Sequence, residues 1–154
     1  MNIKSIAILT VLALFTTGLF AQQITKKNGA YVDEAGRKYS GVYISYYQDG
    51  VKEAVYSIEE GLENGSVEFY YPTTEIMEQG GFKDGLKHGK WVRWSVKGNK
   101  LAEANYNKGK KDGKWLIWDE LGIKRYEMYY TNGTKTGTWV MWDEKGQIAN
   151  KKEY

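Results

Sequence analysis

The side chains of this sequence that could do chemistry are mainly aromatic rings, and they recur at a fixed spacing. All six tryptophans fall on two positions of a 24-residue repeat: Trp91, Trp115 and Trp139 on one, and Trp94, Trp118 and Trp142 on the other. Rings repeated along a sheet can bind sugars or cations by stacking. They can equally form the core of the protein. We favour the core, because few long aliphatic residues are present after residue 21 to build one.

Enzyme chemistry needs a placed nucleophile, base or metal, and the sequence offers only weak candidates. The single histidine, His88, precedes a repeat glycine at a position where other repeats have Asn64, Asp112 and Thr136. Because all four residue types suit turns or solvent, His88 is predicted to be a turn residue and not a general base. The chain contains no cysteine, which excludes disulfides and thiolate metal sites.

Charged clusters lie beside the glycine-containing loops. The acidic pairs Asp119-Glu120 and Asp143-Glu144 could suggest paired carboxylates or calcium ligands, but adjacent residues of a strand point apart and no calcium-loop pattern is present. We therefore favour solvated hairpin tips. The clusters Lys97-Gly98-Asn99-Lys100 and Lys108-Gly109-Lys110-Lys111 could form a basic edge, although charged loop tips that keep a sheet protein soluble are the favoured interpretation. No catalytic residue, metal site or cofactor is predicted.

A strict repeat must position these side chains. Its marker is a glycine at intervals of 24 residues: Gly41, Gly65, Gly89, Gly113 and Gly137. Counted from that glycine, the tryptophans occupy positions +2 and +5, and position +17 holds Ile58, Phe82, Tyr106, Tyr130 and Tyr154. A period of this length predicts a stack of supersecondary units, none of which buries its apolar face alone.

Each repeat has the pattern of a β-hairpin, in which two aromatic or β-branched runs are separated by glycine-containing loops. The sequence therefore predicts an all-β protein, an elongated single-sheet array of stacked antiparallel hairpins. Trp91 and Trp94 are three residues apart and must lie on opposite faces of an extended strand. Repeat two has Pro72-Thr73-Thr74 in place of the loop glycine, so its turn is expected to differ from the others.

The chain divides into a leader, a cap and the repeats. Lys4, the apolar stretch from Ile6 to Phe20 and the small residue Ala21 have the pattern of a signal peptide over residues 1–21. Cleavage after Ala21 predicts a secreted or periplasmic protein. Residues 22–40 are predicted to form an N-terminal cap with a truncated hairpin, and five repeats follow, at 41–64, 65–88, 89–112, 113–136 and 137–154.

The charge of the chain is close to balanced. Without Lys4 it carries 21 basic and 19 acidic residues, a net charge of about +2, and the two signs are interspersed. Such a balance does not predict nucleic-acid binding. Contact with a membrane is not predicted either.

Two segments carry a resemblance to a known family. The sequences Gly-Lys-Trp-Leu-Ile-Trp at 113–118 and Tyr-Asn-Lys-Gly-Lys-Lys-Asp-Gly at 106–113 resemble the MORN-repeat family in its bacterial variant form, and within it the group labelled YwqK-type antitoxins. The resemblance covers residues 41–154. It implies stacked hairpins held by glycines and aromatic residues, and a scaffold or protein-interaction surface. An export signal is not expected of an intracellular antitoxin.

We therefore expect an exported, non-enzymatic repeat protein that presents a binding surface, with a protein as the main candidate partner. A carbohydrate or cell-wall ligand module with aromatic grooves is the alternative, and an antitoxin-like neutralising protein is a further one. The rings expected to be free for a ligand are Trp139, Trp142 and Tyr154 in the last hairpin. The strand from Gln147 to Tyr154 could accept a partner's strand, although its charged residues could equally protect the edge.

Overall fold

The computed structural model describes residues 23–154, so the predicted signal peptide and its cleavage site lie outside the described residues. Within that range the chain forms β-strands and no helix: β1 (Thr25–Lys27), β2 (Ala30–Val32), β3 (Gly41–Tyr46), β4 (Lys52–Glu59), β5 (Leu62–Tyr70), β6 (Ile76–Lys83), β7 (Leu86–Trp94), β8 (Lys100–Asn107), β9 (Lys110–Lys111), β10 (Gly113–Trp118), β11 (Lys124–Thr131), β12 (Thr134–Trp142) and β13 (Ile148–Glu153). No segment of residues 23–154 is a helix that could cross a membrane.

Eleven of the strands, β3 to β13, form one open antiparallel sheet whose strand order follows the chain. The short strand β9 pairs with β8 and leads through Asp112 into β10, which also pairs with β8. Ten strands side by side at a spacing of about 4.8 Å make the sheet roughly 45 Å wide. The prediction of an all-β array of stacked antiparallel hairpins is confirmed.

Two kinds of tight turn alternate along the array. One kind is a two-residue turn in which both residues have positive φ, as in Lys108 (47°) and Gly109 (81°), and this geometry suits the twist of a hairpin. The other kind is closed by two backbone hydrogen bonds. In repeat three the Ser95 N–H donates to Asn99 O at 2.8 Å, and the Gly98 N–H donates to Ser95 O at 2.9 Å.

The expectation of a different turn in repeat two is wrong. There the Tyr71 N–H donates to Glu75 O at 2.9 Å and the Thr74 N–H donates to Tyr71 O at 2.8 Å, which is the same pattern. Thr74 adopts a φ of 80°, close to the value of Gly98 in repeat three. The two hydrogen bonds therefore hold a β-branched residue in a conformation that its side chain disfavours.

Four repeat glycines lie where the register between neighbouring hairpins slips: Gly65, Gly89, Gly113 and Gly137. Between β6 and β7 the pairing passes from Gln79 with Val92 to Gly81 with His88, so that β7 carries two extra residues. Gly89 lies in this bulge with a φ of 74°, and the other four repeat glycines also have positive φ. A side chain at such a position is strained whatever space surrounds it.

Residues 23–40 pack against the first repeat. Strands β1 and β2 are joined by an Asn28-Gly29 turn, and Val32 forms an isolated bridge with Lys38. The Tyr31 N–H donates to Gly61 O at 2.8 Å, which ties this segment to the turn between β4 and β5. The cap therefore contains two short pairings, the ladder between β1 and β2 and the bridge from Val32 to Lys38.

Candidate functional site

One face of the sheet carries a continuous series of aromatic rings, which we call the ring column. Neighbouring centroids lie 4.7 to 6.4 Å apart along it. The column contains the rings at positions +2 and +17 and several others: Tyr31, Tyr43, Tyr56, Phe69, Phe82, Trp91, Tyr106, Trp115, Tyr130, Trp139 and Tyr154. Trp91, near the middle of the column, is 2% exposed. The interpretation that these rings form the core holds for this part of the column.

The tryptophans at +2 are anchored by the backbone as well as by packing. Each indole N–H donates to the carbonyl of the residue ten positions earlier, at 3.1 Å for Trp91, 3.0 Å for Trp115 and 3.0 Å for Trp139. These carbonyls belong to position +16 of the preceding repeat, next to the register slip. Each indole therefore closes the seam between two hairpins.

Lysines two residues before the repeat glycines cover the ring column. The Nζ of Lys111 lies 4.3 Å from the centroid of Trp115 and 4.8 Å from that of Tyr130. Lys87 and Lys135 make the same pair of contacts in the repeats on either side. Sequence reasoning placed Lys111 in a charged loop cluster and missed this role. The fixed spacing of these lysines from the glycines could have revealed it.

The N-terminal end of the ring column is covered by the cap. The ring of Tyr31 lies 4.9 Å from that of Tyr43, and its hydroxyl donates to Glu63 Oε1 at 3.1 Å. Burial raises the pKa of the Tyr31 hydroxyl, and the negative charge of Glu63 raises it further. Lys26 forms an ion pair with the same carboxylate at 2.5 Å. This end is therefore closed by rings and by an ionic cluster.

The C-terminal end of the column is open among residues 23–154. Tyr154 packs on Trp139 with centroids 4.7 Å apart and remains 42% exposed. A depression of about 140 Å³ lies beside these rings, and Met128, Met141 and Lys152 also line it. All six residues of β13 are exposed, and β13 pairs only with β12.

The third ring predicted to be free, Trp142, does not join Trp139 and Tyr154. It contacts Lys124, whose Nζ lies 4.1 Å from its centroid, and it lines a separate depression of about 440 Å³. Trp118 has the same relation to Lys100, at 5.5 Å, and Trp94 lines a further depression with Ile76. The position +5 tryptophans thus form a second row, apart from the ring column.

Ion pairs accompany this second row. Glu127 accepts hydrogen bonds from Lys124 at 2.8 Å and Tyr129 at 2.7 Å, and its ion pair with Lys114 is 2.9 Å long. These partners, Lys124 first, lower the pKa of the Glu127 carboxyl to about 2. Glu103 has equivalent lysine partners one repeat earlier, and its pKa is lowered by Lys90 and then Lys100.

The histidine and the aspartates considered as candidates for catalysis or metal binding lie in strands and turns, where they make local hydrogen bonds. His88 is in strand β7 and not in a turn as predicted, and its Nδ1 lies 3.5 Å from the Lys108 N–H in the neighbouring turn. Asp119 Oδ1 accepts the backbone N–H groups of Leu121 at 3.0 Å and Ile123 at 2.9 Å, and Asp143 holds its own turn in the same way. Asp119 and Asp143 therefore shape their turns, and are more than solvated tips.

Within residues 23–154, no group of three or more histidines and acidic residues is arranged to hold a metal ion. The chain matches no protein-family model and no curated protein. The features of the molecule that bear on its function are therefore the ring column, the second row of tryptophans and the edges of the sheet.

Proposed function

We propose that this chain is an exported, non-enzymatic repeat protein of the MORN-repeat variant family, whose role is to bind a partner protein. The C-terminal end of the array is the binding surface in this proposal. The observation that carries it is the difference between the two ends of the ring column. Tyr31 covers the first ring, whereas Tyr154 is exposed beside an apolar depression and an exposed strand.

Exposed rings and an exposed strand edge are features that mark interaction surfaces on proteins. Away from this end, the rings of the column pack on one another and several are covered by lysines, which leaves little ring surface for a ligand. A partner that uses aromatic contacts would therefore bind at the end of the column.

The test is a quantitative capture experiment from the native cell envelope with the tagged protein and two matched variants. Tyr154→Ala removes the ring at the proposed surface. Tyr46→Ala removes a ring that is 58% exposed at the opposite edge of the sheet, and serves as the control. We expect a set of proteins to be retained by the wild type and by Tyr46→Ala but lost with Tyr154→Ala. Equal capture by all three proteins would contradict the proposal.

Export is tested separately by sequencing the N-terminus of the protein recovered from its native cells. We expect the first residue to be Gln22. An intact N-terminus in the cytoplasm would contradict export and would favour the antitoxin-like role that the resemblance implies.

A second candidate function, binding of a glycan, is favoured by the position +5 row. Trp94 and Trp118 line depressions of about 360 and 330 Å³, and Trp142 lines the one of about 440 Å³. Indole rings in shallow depressions can stack on sugar rings. Retention on insoluble cell-wall glycan that is lost with Trp118→Ala, but kept with Tyr154→Ala, would support this function over the first.

A further inference from the structure

The seams inside the array show what a strand must supply in order to dock next to a hairpin. At the seam between β8 and β10, the ring of Trp115 packs on Tyr106 at 5.1 Å, and its indole N–H donates to Asn105 O at 3.0 Å. The seam between β11 and β12 repeats both contacts with Trp139, Tyr130 and Tyr129. The incoming strand therefore supplies an aromatic ring to position +17 and an N–H donor to the carbonyl at +16.

Strand β13 presents the accepting half of such a seam. Tyr154 is at position +17 and is exposed, and Glu153 is at position +16. No strand of residues 23–154 lies on the outer side of β13. A strand that added there would continue the array by the same contacts as an internal repeat.

Two positions of β13 differ in charge from the equivalent positions of the internal strands. Positions +14 and +15 hold Glu103 and Ala104 in repeat three, but Lys151 and Lys152 in repeat five. Both lysines are exposed, and the Nζ groups of Lys152 and Lys135 lie 4.8 and 4.9 Å from the Tyr154 centroid. Positions +14 and +15 of the accepting edge are therefore basic, with the acidic Glu153 next to them, and an acidic side chain opposite the lysines complements them.

A second copy of this chain is a poor occupant of that edge. Two β13 strands paired with each other would bring Lys151 and Lys152 of both copies together, which is unfavourable. Strand β3 has only the ring of the required pattern, since Tyr43, two residues after Gly41, lacks an indole N–H, and Tyr31 already packs on Tyr43 at 4.9 Å. Docking of β3 on the Tyr154 of another copy would have to displace the cap.

We propose that β13 binds an extended acidic segment of a partner protein by antiparallel strand addition. An aromatic side chain of the segment packs on Tyr154, and a tryptophan at this place also donates its indole N–H to the Glu153 carbonyl. The acidic side chain that follows the aromatic residue lies opposite Lys151, as Leu116 lies opposite Glu103 at the internal seam, and the negative charge of the segment also favours its approach to Lys152. This inference rests on the proposed function, since it specifies the partner of the same surface.

The experiment uses the full protein and a fluorescent synthetic peptide, Gly-Thr-Trp-Glu-Val-Trp-Glu, whose binding is measured by anisotropy at low salt. Lys151→Glu with Lys152→Glu is the test variant, and Lys108→Glu in an exposed turn is the charge control. We expect saturable binding to the wild type and the control, and at least tenfold weaker binding to the test variant. A peptide with lysines in place of its glutamates should reverse that order.

Two further peptides test the mode of binding. Alanine in place of the first tryptophan should weaken binding about tenfold, and N-methylation of alternate backbone amides should abolish it, since a strand pairs through its backbone. The circular dichroism spectrum and melting temperature of each variant are compared with those of the wild type, and Lys151→Glu alone replaces the double variant if that one is unfolded.

Several results would overturn the inference. One is the absence of binding at millimolar peptide, and another is binding that N-methylation does not weaken. A third is tighter binding to Lys151→Thr, because it would show that the lysines protect the edge. Self-association of the protein that Lys151→Glu changes would assign the edge to a second copy. If Tyr154-dependent capture persists without peptide binding, the proposed function stands and strand addition is wrong. If capture is lost as well, both proposals fail.

Discussion

Replacing Gly80 with alanine tests whether the ring column determines the stability of the array. A Cβ atom built on Gly80 would lie 2.2, 2.4 and 2.7 Å from three atoms of the Trp91 indole, far inside normal contact distance. The indole cannot move freely, because Trp91 is 2% exposed and packs edge-on against Phe82 at 5.3 Å. The methyl group must therefore displace a ring in the most buried part of the column.

Two contributions set the loss of stability expected for Gly80→Ala. Overpacking in a close-packed core costs about 1 to 3 kcal/mol. A shift of the ring also threatens the bond from the Trp91 indole to Gly81 O, 3.1 Å long, whose loss costs about 1 kcal/mol. We expect Gly80→Ala to lower the free energy of unfolding by about 2 to 4 kcal/mol.

The assay is equilibrium unfolding in urea at 25 °C, followed by tryptophan fluorescence and by circular dichroism. The control is Ala104→Gly at the equivalent position of the next repeat, where a methyl group is removed. It should cost only about 1 to 2 kcal/mol, from backbone entropy and a lost methyl contact. A Gly80→Ala protein within 0.5 kcal/mol of the wild type, about the scatter of surface substitutions, would refute the argument that the ring is held in place.

Three other predictions concern single residues. Gly113 has a φ of 84°, so Gly113→Val should cost about 1 to 3 kcal/mol and Gly113→Asn clearly less, as measured by urea unfolding; equal costs would mean that backbone strain is not the cause. Lys111→Gln should cost about 0.5 to 1 kcal/mol by thermal unfolding, because it removes a cation from two rings, and Lys110→Gln in the same cluster should cost nothing measurable. The pKa of Glu127 is lowered, so its contribution to stability is complete above about pH 4.5 and is lost as the pH falls towards 2. The free energy of unfolding, measured from about pH 2 to about pH 5, should therefore depend less on pH in Glu127→Gln than in the wild type. The same pH dependence in both proteins would contradict the ion pairs of Glu127.

The fold was predictable because its determinants are local and repeated. The spacing of the glycines predicts where each hairpin begins and ends, and the alternation of apolar and polar residues predicts which side chains share a face of the sheet. The contact of lysines with the rings could also have been predicted, since Lys87, Lys111 and Lys135 each precede a repeat glycine by the same number of residues. They were missed because a lysine next to a turn normally indicates solvent.

Two features could not be read from the sequence, for physical reasons. The turn at Thr74 requires a positive φ that its residue type opposes, and it is held by the hydrogen bonds from the Thr74 N–H to Tyr71 O and from the Tyr71 N–H to Glu75 O. The role of Tyr31 in closing the ring column was also hidden, because the cap does not keep the period of the repeats. Tyr31 reaches Tyr43 through a contact between the cap and repeat one, which a repeat pattern cannot predict.

The repeats are alike in backbone but are not interchangeable, because position +15 of each one lies next to position +2 of its successor. Tyr56, a large residue, pairs with the small Val67, whereas Gly80 has no side chain and leaves room for Trp91. Shape complementarity of this kind matches Tyr56 to Val67, since Tyr56 next to a repeat with tryptophan at position +2 would place a large ring against a large ring. Position +15 of the last repeat holds Lys152, a charged residue that does not suit a buried seam unless its charge is paired. A neighbour docked on this edge, as we propose, would therefore have to pair the charge of Lys152, which an internal repeat of this array does not need to do.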